Sequence, residues 1–103
     1  MSVVIRQEAA RDIVELMEYL HARSPSAAVR FAKHLNRAIL LLERSPLAGA
    51  ELGIIADGLS IRSFTLKGFP HHLILHSPLA EGVEIHRVVD GRRDLSTLFP
   101  SYG

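Results

Sequence analysis

The sequence contains no cysteine. Disulfides and cysteine-ligated metal sites are therefore excluded, and the composition fits a reducing compartment. No apolar run approaches the ~20 residues that a membrane-spanning helix needs. The first residues also lack the charged-then-apolar order of a signal peptide. We therefore expect a soluble, cytoplasmic protein that does not enter a membrane.

A large excess of one charge is missing too, since the formal net charge is +1. This small value gives no bulk electrostatic case for binding nucleic acid. The kind of cation is more informative, because ten of the twelve basic residues are arginine, which suits two-pronged contacts to carboxylate or phosphate. With 103 residues, 48% of them hydrophobic, the chain has the size and composition of a single domain spanning residues 1–103.

The first half of the chain predicts one strand and two helices. Residues 2–6 form a short β-branched run typical of a strand, and residues 7–23 repeat apolar side chains at helical spacing. Ser24-Pro25 ends this helix and starts a second, expected from Pro25 to about Arg44. The short link makes the two helices nearly antiparallel, with shared apolar stripes. The stripes are Ala9, Ile13, Leu16, Met17 and Leu20, and Ala28, Phe31, Ala32, Leu35, Ile39 and Leu42.

The second half predicts a small sheet. Residues 47–58 contain three glycines and no sustained period, which indicates a loop. Three strands are expected over residues 59–66, 71–77 and 83–89, with connections that suit antiparallel hairpins, and one helical turn over residues 94–99. The expected fold class is α+β in the order β-α-α-β-β-β, with the helical hairpin packed on one face of a mainly antiparallel sheet.

The last predicted strand ends at Asp90-Gly91, where the backbone freedom of glycine lets the chain turn and present arginines. We expect the basic side chains of the sheet to form one cationic patch on the face opposite the helices, suited to RNA phosphates or an acidic partner segment. The patch consists of Arg62, Lys67, Arg87, Arg92 and Arg93. The alternative is that single arginines pair with neighbouring acids such as Glu84 or Asp94.

The sequence gives weaker support to a metal site, a serine nucleophile or a phosphate-binding loop. His71, His72, His76 and His86 fall on adjacent predicted strands, as the ligands of a metal site would. His72 and His76, however, lie four residues apart on a strand, with Cβ atoms over ~12 Å apart. The chain has neither a G-x-S-x-G turn nor a phosphate-binding glycine loop that ends in Lys-Ser or Lys-Thr. We therefore expect no metal and no other cofactor.

Five stretches of the chain are informative in combination. They are A-A-R-D-I-V-E-L-M-E-Y-L from residue 9, P-S-A-A-V-R-F from residue 25, L-L-L-E-R-S-P-L-A-G from residue 40, I-R-S-F-T-L-K-G-F from residue 61 and I-H-R-V-V-D-G-R-R-D-L from residue 85. Together they resemble the ParE/RelE superfamily, the toxin halves of bacterial type II toxin-antitoxin modules. The resemblance implies the same β-α-α-β-β-β fold, a tight complex with a small co-encoded antitoxin, and growth arrest when the antitoxin is lost.

The superfamily divides by mechanism. RelE-like members cleave mRNA in the ribosome, using basic residues on the sheet and a tyrosine or histidine near the C-terminus. If this chain is RelE-like, its catalytic residues are Arg62, His72 and Arg93. The resemblance, however, puts His72 where these members carry arginine and Phe99 where they carry tyrosine, so a fixed charge and a hydroxyl are missing. Tyr102 and His86 are the candidate substitutes.

With two chemical roles vacant, the resemblance favours the ParE-like branch, whose better-known members inhibit DNA gyrase without such groups. A ribosome-dependent mRNA endonuclease is the alternative, and an antitoxin-binding module without toxicity is a third. On the favoured interpretation no residue is catalytic, and the cationic patch binds the target. An antitoxin of ribbon-helix-helix type then folds onto the helical hairpin and the free edge of the sheet. Its expected contacts are Leu16, Tyr19, Arg30, Lys33 and Arg37.

Overall fold

The computed structural model describes residues 2–99, so Tyr102 lies outside the described residues. Its elements are β1 (Ser2–Ile5), α1 (Gln7–Arg23), α2 (Pro25–Arg44), β2 (Ala50–Ala56), β3 (Leu59–Leu66), β4 (Phe69–Leu79), β5 (Gly82–Asp90) and a 3-10 turn (Leu95–Leu98). The predicted α+β class is confirmed, as is the order of a first strand, two helices and a series of antiparallel strands.

The sheet has five strands in the order β1-β5-β4-β3-β2. β1 runs parallel to β5, and the other neighbours are antiparallel. The prediction of a loop over residues 47–58 is wrong, because Ala50–Ala56 forms an edge strand paired with β3. Gly53, with φ of 73°, lies where the register shifts between Glu51 and Ile54. This bulge interrupts the two-residue period that would have indicated a strand.

Each helix ends at the serine that the sequence predicts, Ser24 for α1 and Ser45 for α2. The Oγ atom of Ser24 accepts a hydrogen bond from the Ala27 N–H, and Pro25 occupies the first turn of α2. One position in the predicted stripe is wrong, since Ala32 is exposed and Ala38 is buried in the core. The main core contains Ala9, Phe31, Leu35, Ala38, Leu42, Leu66, Ile74, Val83, Ile85 and Val88. Among residues 2–99, no helix is both long and apolar enough to cross a membrane.

The sheet face away from the helices is apolar. A second cluster there has Ile61, Leu75 and Val89 at its centre, all buried. Leu98 and Phe99 of the C-terminal segment pack against it. This face is therefore a small core with its own cover, and not the open cationic platform that the sequence had predicted.

Candidate functional site

Arg87 joins β5 to the first helix. Its Nε and Nη2 atoms donate to Oδ2 and Oδ1 of Asp12 at 2.7 and 2.9 Å, and the Val88 N–H donates to the same carboxylate at 3.0 Å. The carboxylate of Asp12 raises the pKa of Arg87. The guanidinium of Arg87 is therefore paired with α1 and is not free for the predicted patch opposite the helices. The register shift between Leu75 and His76 interrupts the alternation of β5, so Arg87 lies opposite Leu75 of the second cluster while its guanidinium reaches Asp12 on α1.

Arg62 is also on the helix side of the sheet. Its neighbour Ile61 packs in the second cluster, whereas Phe64 packs against the main core, so alternation turns Arg62 towards the helices. Its Nη2 atom donates to the carbonyl of Gly49 at 3.2 Å, in the loop after α2. Gly49 has φ of 87°, and a Cβ atom there would collide with the carbonyl of Ser63. The loop therefore runs close against β3 and covers part of Arg62.

The remaining cations of the predicted patch are exposed but lie apart. The Nη2 atom of Arg92 is 2.6 Å from Oδ2 of Asp90, and this contact holds the pKa of Asp90 well below its usual range. Arg93 is exposed and makes no ion pair with any residue of 2–99. Lys67 is exposed in the turn between β3 and β4. The five predicted residues thus occupy the helix side, the end of β5 and a separate turn, so the structure does not gather them into one patch.

Gly91 is required for a different reason from the predicted one. Its φ angle is not in the left-handed region. Its N–H donates to the carbonyl of His71 at 2.7 Å, and a Cβ atom would stand 2.6 Å from Cδ1 of Leu73. The constraint is therefore close packing at the end of the β4–β5 ladder, not backbone conformation.

Two histidines of the sheet are packing residues. His72 is half-buried, with its ring meeting those of Phe31 and Phe69 at centroid distances of 6.2 and 6.3 Å, and burial lowers its pKa. His76 is fully buried, and burial together with the charge of Arg62 lowers its pKa to about 4. Both rings are therefore neutral at pH 7, and neither supplies the positive charge that a phosphate would need.

A cleft of about 580 Å³ lies where the start of α1, the β2–β3 turn and the C-terminal segment meet. It is lined by Arg6, Glu8, Ile55, Ala56, Asp57, Gly58, His86, Arg87, Leu98 and Phe99. Arg6 bridges across it, with Nη1 2.8 Å from Oδ2 of Asp57 and Nε 3.3 Å from Oε1 of Glu84. This ion pair connects the end of β1 to the β2–β3 turn, so the sheet curls until its two edges approach each other. Sequence reasoning missed the cleft, since no spacing links these distant residues.

His86 in the lining of this cleft belongs to a chain of polar contacts. The hydroxyl of Ser77 donates to the carbonyl of Ser60 at 2.7 Å, and its Oγ atom lies 2.8 Å from Nε2 of His86. Glu84 approaches the same ring nitrogen at 3.6 Å. Because the serine and the carboxylate share one nitrogen, the ring cannot relay a proton between them, and the three do not form a catalytic triad. Burial, followed by the charge of Arg6, lowers the pKa of His86.

The residues predicted to contact the antitoxin lie on the helical hairpin. Arg30, Lys33 and Arg37 are exposed at spacings of three and four residues, on one side of α2, without an ion pair to any residue of 2–99. The side chain of Tyr19 is 55% exposed. Leu16 is half-buried against the main core and reaches a small cleft beside Arg93. The three cations form a row on one helix face, which we call the α2 row.

The fold and the exposed surfaces define a small α+β domain, a helical hairpin on a curled sheet with a cationic row on one helix that has no ion pair among residues 2–99. The model of the ParE toxin of the type II toxin-antitoxin system, ParDE, matches residues 3–95. The chain therefore belongs to the ParE toxin family and is the toxin component of a type II toxin-antitoxin system.

Comparison with solved structures supports the same fold. The chromosomal ParDE toxin-antitoxin system from P. aeruginosa includes a chain with 18% sequence identity and a TM-score of 0.69. The match covers 87% of this chain and 95% of that chain. At this identity the likeness concerns the fold alone. Curated proteins yield no match to this sequence.

Proposed function

We propose that this toxin acts by binding DNA gyrase and that a cognate antitoxin of ribbon-helix-helix type neutralises it. The observation that supports binding over RNA cleavage is the state of the residues in the positions of a RelE-like nuclease. Such a nuclease needs a fixed positive charge and an acid-base group beside the scissile phosphate. Here Arg62 bonds a backbone carbonyl, and His72 is a neutral packing residue. Phe99 has no hydroxyl to offer.

The target-binding surface in this proposal is narrower than the predicted patch. Arg92 and Arg93 are exposed at the end of β5, and Lys67 is exposed in the separate turn between β3 and β4. These three remain accessible to a partner. Arg62 and Arg87 act indirectly, since each is tied to an element of the helical layer and positions the strand that carries it.

The antitoxin surface in this proposal is the outer side of the helical hairpin. The α2 row carries three cations within eight residues and lacks an acidic partner among residues 2–99. Tyr19 adds an exposed aromatic ring on α1, with the guanidinium of Arg23 4.8 Å from its centroid. An acidic segment with apolar side chains complements both features and folds as it binds.

The alternative, a ribosome-dependent mRNA endonuclease, has one observation in its favour. Arg93 is exposed, and no acid among residues 2–99 forms an ion pair with it, so its charge is available to a phosphate. The endonuclease interpretation then requires an acid-base group from elsewhere in the complex. A third possibility, antitoxin binding without toxicity, differs from both in leaving growth unchanged.

Expression of the toxin from an inducible promoter, with and without the antitoxin, tests the proposal. Gyrase inhibition predicts growth arrest with an SOS response and relaxed plasmid DNA, all reversed by the antitoxin. Truncated mRNAs with normal supercoiling would overturn it in favour of the endonuclease, and normal growth would support the third possibility. A variant with Arg92→Gln and Arg93→Gln should lose toxicity, whereas Arg11→Gln, at an exposed arginine of α1, is the matched control.

A further inference from the structure

The cleft described above has an unsatisfied hydrogen-bond acceptor in its wall. Because the hydroxyl of Ser77 donates to Ser60, its oxygen accepts from His86, and the proton of the imidazole must be on Nε2. Nδ1 is then an acceptor. It is buried, in a ring that is 1% exposed, and has no hydrogen-bond partner within residues 2–99. A buried acceptor without a donor is destabilising, so a donor that reaches Nδ1 is favoured.

Both cations that line the cleft are already paired. Arg6 is matched by Asp57 and Glu84, and Arg87 is matched by Asp12, whereas Glu8 lines the cleft without an ion pair among residues 2–99. No unpaired cation is left for an anionic guest, so an uncharged guest suits the cleft. The volume of the cleft, about 580 Å³, falls in the usual range for small-ligand and side-chain pockets.

Phe99 occupies the position over the imidazole. Its ring meets that of His86 edge to face, with centroids 5.8 Å apart. Phenylalanine supplies aromatic contact but no donor, so its ring leaves Nδ1 unsatisfied. A tryptophan or tyrosine ring offers comparable aromatic surface together with an N–H or O–H group.

The mouth of the cleft favours a polypeptide. Ile55 is 67% exposed at the rim, and it belongs to β2, an edge strand with no neighbour on its outer side among residues 2–99. A partner segment can pair with such an edge through its backbone while it inserts a side chain into a pocket beside it. Tryptophan and tyrosine are among the residues that most often anchor such contacts.

We infer that this cleft receives a tryptophan or tyrosine side chain of a partner protein, which displaces the ring of Phe99 and donates a hydrogen bond to Nδ1 of His86. The site is separate from the α2 row and from the arginines at the end of β5. It therefore adds a third contact surface to the toxin, whichever protein is its target.

Binding of indole and of 1-methylindole to the full chain tests the hydrogen bond. The two probes have nearly the same aromatic surface, but the second has no N–H. We expect indole to shift the ¹⁵N resonance of His86 Nδ1 and to bind about fivefold more tightly than 1-methylindole, the ratio that one neutral hydrogen bond provides. Equal affinities, or no shift of Nδ1 at saturating indole, would overturn the inference.

Two variants and one control variant test where the probe binds. Phe99→Ala removes the competing ring, so the affinity for indole should rise about tenfold if the wild-type site is open in about a tenth of molecules. Ile55→Asp should abolish binding, while Leu47→Asp, at a residue 66% exposed and outside the cleft, should not change it. An unchanged or weaker affinity in Phe99→Ala, with the fold intact by NMR, would contradict the displacement.

A peptide distinguishes a protein partner from a small molecule. A capped Val-Thr-Trp-Thr-Val peptide adds backbone that can pair with β2, so it should bind at least ~10-fold more tightly than indole. If free indole binds as tightly as the peptide, the cleft is a small-molecule site and the proposed partner is wrong. Neither outcome depends on gyrase inhibition, which is measured separately on the toxin in cells.

Discussion

Both helices of the hairpin pack apolar side chains on the sheet, but α1 adds a charged contact. Ala9 of α1 is buried in the main core, and Asp12 binds the guanidinium of Arg87 and the N–H of Val88. α2 is held by apolar side chains, with Phe31 and Leu42 both fully buried against the sheet. Its outer side carries Arg30, Lys33, Arg37 and Arg44, all exposed and without an ion pair to any residue of 2–99.

This difference distinguishes charged side chains that stabilise the fold from charged side chains that are available to a partner. A charge between a helix and the sheet, such as Asp12, is satisfied within the molecule and contributes to its stability. A charge on the outer side of α2 has water as its neighbour and contributes little to folding. The net charge of +1 conceals this division, because the acids of α1 offset the cations of α2. Substitutions at the two kinds of position should therefore have different effects.

The largest effect is expected where α2 docks. Phe31 is fully buried and meets Phe69 edge to face, with centroids 5.3 Å apart. Phe31→Ala should lower the free energy of unfolding by about 3–5 kcal/mol, measured by urea denaturation. Ala32→Ser, at the exposed neighbouring position, should change it by less than about 0.5 kcal/mol. Similar losses in the two variants would mean that the inner side of α2 is assigned wrongly.

The buried His76 should make the stability of the fold sensitive to acid. His76 is fully buried beside Arg62, and its pKa is lowered to about 4, whereas an unfolded histidine titrates near 6.5. Because the folded state binds this proton less well, stability is complete above pH 6.5 and falls as the pH drops towards 4, by up to about 3 kcal/mol. Urea denaturation between pH 4 and 7.5 measures the loss. In His76→Leu the slope should be smaller, and a wild-type curve that is flat over this range would contradict the assignment.

A smaller loss is expected where α1 is attached. Asp12→Ala leaves Arg87 without its partner and the Val88 N–H without an acceptor. Since the side chains of Arg87 and Asp12 are 22% and 12% exposed, water offsets part of the cost, and we expect a loss of about 2–3 kcal/mol. Glu15→Ala is the control on the exposed side of α1. The double variant with Arg87→Gln should cost less than the sum of the single changes.

The sequence predicts the helical layer better than the sheet surface. Ser24-Pro25 and the three-four spacing determine both helices, because caps and periodicity are local signals. β2 was missed because Gly53 and its bulge interrupt the alternation. The position of the Arg87 guanidinium depends on its contact with Asp12, 75 residues away. The cleft depends on the ion pair between Arg6 and Asp57. Such contacts follow from the curl of the sheet. The residue pattern of a single strand carries no information about that curl.

The smallest effect on folding, and the clearest on binding, is expected at the α2 row. Replacing Arg30, Lys33 and Arg37 by glutamine should leave the free energy of unfolding within about 0.5 kcal/mol of wild type. If the row contacts the antitoxin, its affinity should fall at least ~10-fold, and the salt dependence of binding should weaken. Titration calorimetry with the cognate antitoxin measures both. Glu15→Gln with Glu18→Gln on α1 is the matched control, and an equal loss there would remove the distinction between the helices.

The most direct measurement of the mode of action is a supercoiling assay with purified gyrase, relaxed plasmid and this toxin, in the absence of ribosomes. We expect the toxin to block supercoiling and an equimolar amount of antitoxin to restore it. Full gyrase activity, at a toxin concentration that cleaves mRNA in a ribosome-containing translation reaction, would contradict the account.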